Sequence, residues 1–327
     1  MMRKRILSGM RPTGKLHLGH YVGALENWVT LQDEYQNFHL VADWHVLTTD
    51  YEHTNRIRKL TEEMVADWLA AGIDPEKSPI FAQSEVKEHA ELFLIFSMLV
   101  TKARLERNPA VKEQARALGL EEKISYGHLG YPVLQAADIL LYQAHLVPVG
   151  EDQLPHIELC REIARRFNRV YGEVFRLPQG KLTRFPRLPG PDGKRMSKSI
   201  GNVILISDKP EKVLEVVKSA ITDPKKIHKN DPGNPDICNV YHWHQKFNPA
   251  ETPEIVADCR NGVLGCVDCK KRCADKINEF LAPIRHRREK IIADMDAVRD
   301  ILKDGAEKAH IEAAQTMEAV RNAMGIG

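Results

Sequence analysis

Residues 1–200 alternate short apolar runs with longer stretches whose apolar positions recur at helical spacing. The pattern predicts strands over 5–8, 38–42, 79–82 and 146–149, and helices over 20–35, 53–71, 87–100 and 154–167. Strand followed by helix, repeated, is the signature of a mostly parallel sheet with crossover helices, so an α/β domain is expected over 1–200. Residues 110–130 read as a helical excursion between sheet elements, and the neighbouring Leu92-Phe93-Leu94-Ile95-Phe96 is apolar enough to suggest a contact with a second subunit. From Asp208 onward the strand signal fades. Helical patterns cover 211–220, 276–299 and 308–324, which predicts an α-helical domain over 201–327. The proline-marked segment 223–249, carrying Tyr241-His242-Trp243-His244, is expected to be irregular.

Composition narrows the picture only a little. At 327 residues, 43% hydrophobic and 28% charged, the chain has material for a large soluble core and two domains. A net charge of +2 is too small to indicate nucleic acid by itself, so any RNA affinity must come from local clusters such as Lys225-Lys226, Lys270-Lys271-Arg272 and 285–290. The basic start, Met1-Met2-Arg3-Lys4-Arg5, precedes an apolar run too short for a signal-peptide core, and no stretch of about 18 apolar residues occurs. A cytoplasmic protein is expected, with no membrane segment.

Two strings carry the chemistry. His17-Leu18-Gly19-His20 follows the first strand and a turn, Arg11-Pro12-Thr13-Gly14, and opens a helix. That is where a Rossmann-like sheet binds nucleotide phosphates. Arg195-Met196-Ser197-Lys198-Ser199 follows a loop made non-helical by Pro186, Pro189, Gly190, Pro191 and Gly193, and such a loop can close over a triphosphate. A third feature is Asp138, a carboxylate interrupting the apolar run 133–141 on what should be a buried helix opened by Pro132. A buried carboxylate demands a donor.

With Ala42-Asp43-Trp44-His45, Tyr131-Pro132-Val133-Leu134-Gln135-Ala136-Ala137-Asp138 and Val147-Pro148-Val149-Gly150-Glu151-Asp152-Gln153, these strings resemble the bacterial tryptophanyl-tRNA synthetases, class I aminoacyl-tRNA synthetases, over nearly the whole chain. The resemblance implies attack of an amino-acid carboxylate on the α-phosphate of ATP, supplied with Mg²⁺, followed by transfer of the aminoacyl group to tRNA(Trp). Neither step needs a strong protein nucleophile; positioning and charge neutralisation suffice. The resemblance assigns catalysis to His17, His20 and Lys198. It assigns ATP binding to Arg11, Gly19, Gly150, Asp152, Lys194, Arg195, Met196, Ser197 and Lys198, and tryptophan binding to Arg11, His45, Tyr131, Gln135, Asp138 and Gln153. Arg195 stands where the family usually has lysine, and Lys112 is a further candidate for a mobile phosphate contact. Asp138 would accept the indole N–H. Tyrosine also offers a donor, and Gln135 matches the related tyrosyl enzymes, so a tyrosyl-tRNA synthetase is the alternative substrate reading; 42–45 and 150–153 favour the tryptophanyl branch. A catalytically weak RNA-binding or iron-sensing paralogue is the alternative outside enzymes. The family implies a homodimer, and the second domain would bind the tRNA anticodon.

Five of the six cysteines lie between Cys238 and Cys273, with Cys160 elsewhere, and such clustering suggests a metal centre. A structural zinc site normally uses two short knuckles, whereas only Cys266-x-x-Cys269 is present. An iron–sulfur cubane accepts the uneven spacing more readily. Zinc, or free thiols packed as small hydrophobes, are the alternatives. Some family members carry a cysteine-bound [4Fe–4S] cluster here, and the resemblance favours Cys238, Cys259, Cys266 and Cys269 as its ligands, with Cys273 left over. A helix beginning near Gly265 would put Cys266, Cys269 and Cys273 on one face, with a strand carrying Cys259 folded over it.

Overall fold

The computed structural model describes residues 3–117, 119–120, 122–182, 188–198 and 200–327; Met1, Met2, Pro186 and Ser199 therefore lie outside the described residues. Five parallel strands run in the order β3-β2-β1-β4-β5: β1 (Arg5–Met10), β2 (Gln36–Val41), β3 (Ile80–Ala82), β4 (Leu146–Val149) and β5 (Gln179–Leu182). The helices of the first half are α1 (Leu18–His20), α2 (Glu26–Leu31), α3 (Asp43–Leu47), α4 (Ile57–Ala71), α5 (Glu88–Ser97), α6 (Lys102–Glu106), α7 (Pro109–Ala117), α8 (Tyr126–Leu141) and α9 (Leu154–Tyr171). Those of the second half are α10 (Pro210–Ser219), α11 (Asn239–Phe247), α12 (Thr252–Arg260), α13 (Cys266–Ile292) and α14 (Met295–Met324). Strand order reverses between β1 and β4, so the crevice beyond their carboxyl ends is the expected ligand site of an open parallel sheet. Residues 11–20 and 150–153 leave the sheet there.

The predicted strands are present with ends shifted by a few residues. β5 was not predicted, because its Gln-Gly-Lys-Leu lies at the sheet edge, where no apolar run is needed. The helix expected over 20–35 is interrupted by a π-helical turn at Tyr21–Leu25. Pro132 does not open α8: Ser125 caps it by accepting from the His128 N–H, and Pro132 sits inside the helix. The segment expected to be irregular contains α11, entered through Asn234, which accepts from the Asp236 N–H, and anchored by Val240, Trp243 and His244. Cys259 lies on helix α12 and not on a strand. The helix expected over 276–299 is two helices, divided where Asp294 caps α14 by accepting from the Ala297 N–H.

The halves share a core. Leu16, Leu18, Trp28 and Met64 from the first pack in one cluster with Val213, Trp243, Cys273 and Ile284 from the second. The final helix returns to the sheet, with Ala309, Ala313, Met317 and Val320 packed into the other cluster beside Phe81 and Leu92. Gly305 makes this possible, since a Cβ there would stand 1.9 Å from the Ile80 carbonyl oxygen. Ile80 is backbone in the sheet and cannot give way. Gly305→Ala is expected to destabilise the chain by about 1–3 kcal/mol or more, read as a lower urea midpoint.

Candidate active site

The loop from β1 to α1 is built around Gly14, whose φ of +85° suits glycine. His17 and His20 stack with ring centroids 3.7 Å apart. The His17 N–H donates to His20 Nδ1 at 3.3 Å. Burial, then the positive charge of Lys198 and Arg195, lowers the His17 pKa to about 4. His20 falls to about 3, mainly by burial, then through His17, Lys198 and Arg195. Both rings are therefore neutral N–H donors at physiological pH. The space over Gly19 holds the His17 ring, which a Cβ would meet at 3.0 Å, so this glycine admits the stacked pair.

Asp67 of α4 anchors this loop from below. Its Oδ2 accepts from the Leu16 N–H at 2.7 Å and its Oδ1 from Arg288 Nε of α13 at 2.5 Å. The second half of the chain thereby holds the phosphate loop of the first. The lysine loop docks on the same segment: Lys198 Nζ donates to the carbonyls of Thr13 and Lys15. Met196 is buried beneath it, and Ser197 N–H donates to Asn202 Oδ1 at 2.7 Å. Helix α11 fastens the approach to this loop, with Trp243 Nε1 donating to the Pro189 carbonyl and Asn239 Nδ2 to that of Pro191. Lys194 and Arg195 are exposed, and Lys112 is exposed on α7.

On the other side of the crevice, Asp138 is buried with three donors. Gln83 Nε2 and His89 Nδ1 reach Oδ1 at 2.6 and 2.7 Å, and His45 Nε2 reaches Oδ2 at 2.9 Å. Burial alone would raise this carboxyl, yet the bonds from His45 and His89 outweigh it and hold the pKa at about 2. Asp43 places two of the donors: it accepts from the Trp44 and Ser84 N–H groups at 3.0 Å, tying α3, which carries His45, to the turn that carries Gln83. Tyr131 meets His156 Nε2 at 3.2 Å, and Arg11 donates to Thr49 Oγ1 while its buried Nε has no hydrogen-bond partner among the described residues. Gln135 is half-buried on α8, and Gln153 Nε2 donates to Asp152 Oδ2 at 3.1 Å beside Gly150.

The structure thus gathers His17, His20, Lys198, Met196 and Ser197 on one side, and Arg11, His45, Tyr131 and Asp138 on the other. Sequence reading missed Gln83, His89, Tyr142, His156, Asp67 and Asn202. Only the buried Asp138 signalled that such donors had to exist.

The cysteines form a separate site. Cys238, Cys259, Cys266 and Cys269 lie within electrostatic reach of one another, and Cys269 is pushed up to about 12 by burial and by the other three. Gly233 closes over Cys259, where a Cβ would stand 2.7 Å from Sγ. Cys273 is fully buried in the core. Among the described residues no group of three or more His, Cys, Asp or Glu is placed to hold a metal ion.

Arg288→Met would leave the Asp67 carboxylate buried without its cation, and a loss of about 3–5 kcal/mol is expected by urea denaturation. The imidazoles give a second expectation. His17, His20, His39 and His156 have pKa values lowered by burial to about 4, 3, 3 and 4, below the ordinary 6.5 of the unfolded chain. As pH falls below 6.5 the unfolded state takes up protons that the folded state refuses. Stability should be fully present above that pH and decline as pH falls toward about 3, read as urea midpoints across the range.

The family described as tRNA synthetases class I (W and Y) matches residues 2–282. The tryptophan–tRNA ligase of Thermotoga maritima is 51% identical over 98% of this chain and 99% of its own length, and that of Aquifex aeolicus 44% identical over 98% and 100%. A solved tryptophanyl-tRNA synthetase from Campylobacter jejuni, complexed with ADP and tryptophan, is 31% identical and superposes with a TM-score of 0.87 over 98% of this chain and 100% of its own. No helix among the described residues is long and apolar enough to cross a membrane. The relatives named here, two tryptophan–tRNA ligases and a tryptophanyl-tRNA synthetase, match it nearly end to end, and the chain belongs to the class I tRNA synthetases of the tryptophan and tyrosine family.

Proposed function

We propose that the chain is a tryptophan–tRNA ligase, which activates L-tryptophan with ATP to tryptophanyl-AMP and transfers the aminoacyl group to tRNA(Trp), releasing diphosphate and AMP. The observation that carries it is the buried, ionised Asp138, held by donors that follow β2 and β3, in the same domain as a neutral histidine pair after β1 and the lysine loop docked beside it. Asp138 Oδ2 accepts one bond and has room for another, which suits the single indole N–H. Tyr131 and Gln153 would meet the α-amino group, Arg11 the carboxylate, and Gln135 the side of the pocket. Gly150 and Asp152 would meet the adenosine, with Gly19 at the helix start.

The tryptophan carboxylate then attacks the α-phosphorus, and the α–β bond to diphosphate breaks. His17 and His20 donate N–H groups to the phosphates. Lys198, leaving its carbonyl partners, follows the departing diphosphate with Lys194 and Arg195, while Mg²⁺ accompanies ATP as substrate. The 3′-terminal adenosine of tRNA attacks the mixed anhydride and AMP leaves.

Residues 1–200 serve as the catalytic domain and 201–327 as the anticodon-binding domain in this reading, which is cytoplasmic and homodimeric. Leu94 on α5 and Met98 just after it, 57% and 71% exposed, supply an apolar face for a second copy. Cys238, Cys259, Cys266 and Cys269 would hold a [4Fe–4S] cluster, with zinc the second choice; that each of these thiols lies within electrostatic reach of others in the set supports it. Cys259 of α12 and Cys266 and Cys269 of α13 would tie the two helices through such a centre beside Lys270-Lys271-Arg272, charges suited to an RNA backbone.

Tryptophan-dependent exchange of diphosphate into ATP tests the activation step. Robust exchange with tryptophan and little with tyrosine is expected, and Lys198→Ala should lower kcat by about 10²–10³. Exchange with tyrosine alone would overturn the assignment. Protein purified without oxygen should contain about four irons per chain and absorb near ~400 nm. Colourless, zinc-bearing protein would replace the cluster by a structural ion.

A further inference from the structure

Behind Asp138 lies a chain of buried groups that the activation chemistry does not use. His89 and Tyr142 are both inaccessible to solvent, and His89 Nε2 meets the Tyr142 hydroxyl at 2.8 Å while Nδ1 meets Asp138 Oδ1 at 2.7 Å. The proton positions follow from the partners. Asp138 is an anion and accepts, so His89 carries its proton on Nδ1. In the neutral imidazole Nε2 then accepts, and the Tyr142 O–H donates to it. With Gln83 on the same oxygen, Oδ1 has both lone pairs filled, and His45 fills one of the two on Oδ2.

We propose that His89, locked in one tautomer by Tyr142, is a positioning residue for amino-acid selection: it fixes Asp138 so that a single acceptor position, on Oδ2, faces the substrate ring. This rests on the tryptophan-activating reading above. His89 does not touch the substrate; it acts through Asp138. Without it the carboxylate keeps only Gln83 on Oδ1 and His45 on Oδ2, is held less firmly against rotation, and is buried with fewer donors, so its proton affinity rises. The groups that face this carboxylate or its relay are His45 from α3, Gln83 from the turn after β3, His89 from α5, Tyr142 at the end of α8 and Cys160 from α9, with Glu88 acting on Tyr142.

The test uses ATP–diphosphate exchange with L-tryptophan and with β-(3-benzothienyl)alanine, whose sulfur replaces the N–H, from about pH 5 to 9. Wild type should prefer tryptophan strongly with a ratio that does not change with pH, because a site that satisfies a hydrogen bond rejects the analogue lacking it. His89→Leu should lower kcat/KM for tryptophan by about tenfold or more, through the KM for tryptophan and not that for ATP, and shrink the preference over the thienyl analogue. It should also bring an acid limb into the tryptophan profile. His89→Asn, whose Nδ2 can stand where Nδ1 stands, should restore most of the preference and remove the limb. Tyr142→Phe, which deletes one oxygen, should fall between wild type and His89→Leu, and it carries the test if His89→Leu does not fold. A preference and profile unchanged in Tyr142→Phe and in folded His89→Leu would overturn the inference while leaving tryptophan activation intact. Absence of tryptophan activation in the wild type would instead overturn the proposed function.

Discussion

A carboxylate held ionised inside the protein is the constraint on which the amino-acid side of this site depends. Desolvation works against the charge of Asp138, and its survival requires donors from several elements to converge. Gln83 arrives from the turn after β3, His89 from α5 and His45 from α3. These elements must keep their spacing, and Asp43 does part of that by clasping α3 to the same turn. The charge therefore specifies geometry more than it stabilises the fold. A buried anion with an incomplete set of donors would be more costly than an apolar residue in its place.

The phosphate side follows a different principle. Its rings are kept neutral, by burial and by neighbouring cations, so that they donate without competing for protons. Its supports come from distant parts of the chain. Asp67 on α4 and Arg288 on α13 hold the backbone beside His17, and α11 holds the approach to the lysine loop. The same long helix that begins at Cys266 ends near Arg288. The cysteine site and the phosphate loop thus belong to one rigid connection, built on the core that both halves share.

The parallel sheet and most helices were legible because period-two and period-3.6 patterns survive wherever one face is buried. β5 was not, since an exposed edge strand needs no such pattern. Helix α11 hides behind flanking prolines that mark its entrance and its end, and the glycines near Cys259 suggest extended chain where helix α12 stands. At the site, single residues with strong local context, His17, His20, Lys198 and Asp138, could be read directly. His89 and Tyr142 could not, because a histidine and a tyrosine in apolar helices look like core packing until the fold brings them to Asp138. The donors of a buried charge are long-range partners, and no local pattern encodes them.

A crystal structure with tryptophan bound tests the central claim most directly. The account predicts the indole nitrogen at about 3 Å from Asp138 Oδ2, with Gln83, His89 and His45 keeping their present bonds to the carboxylate. An indole directed elsewhere, or a carboxylate turned away from His89 to reach it, would contradict it.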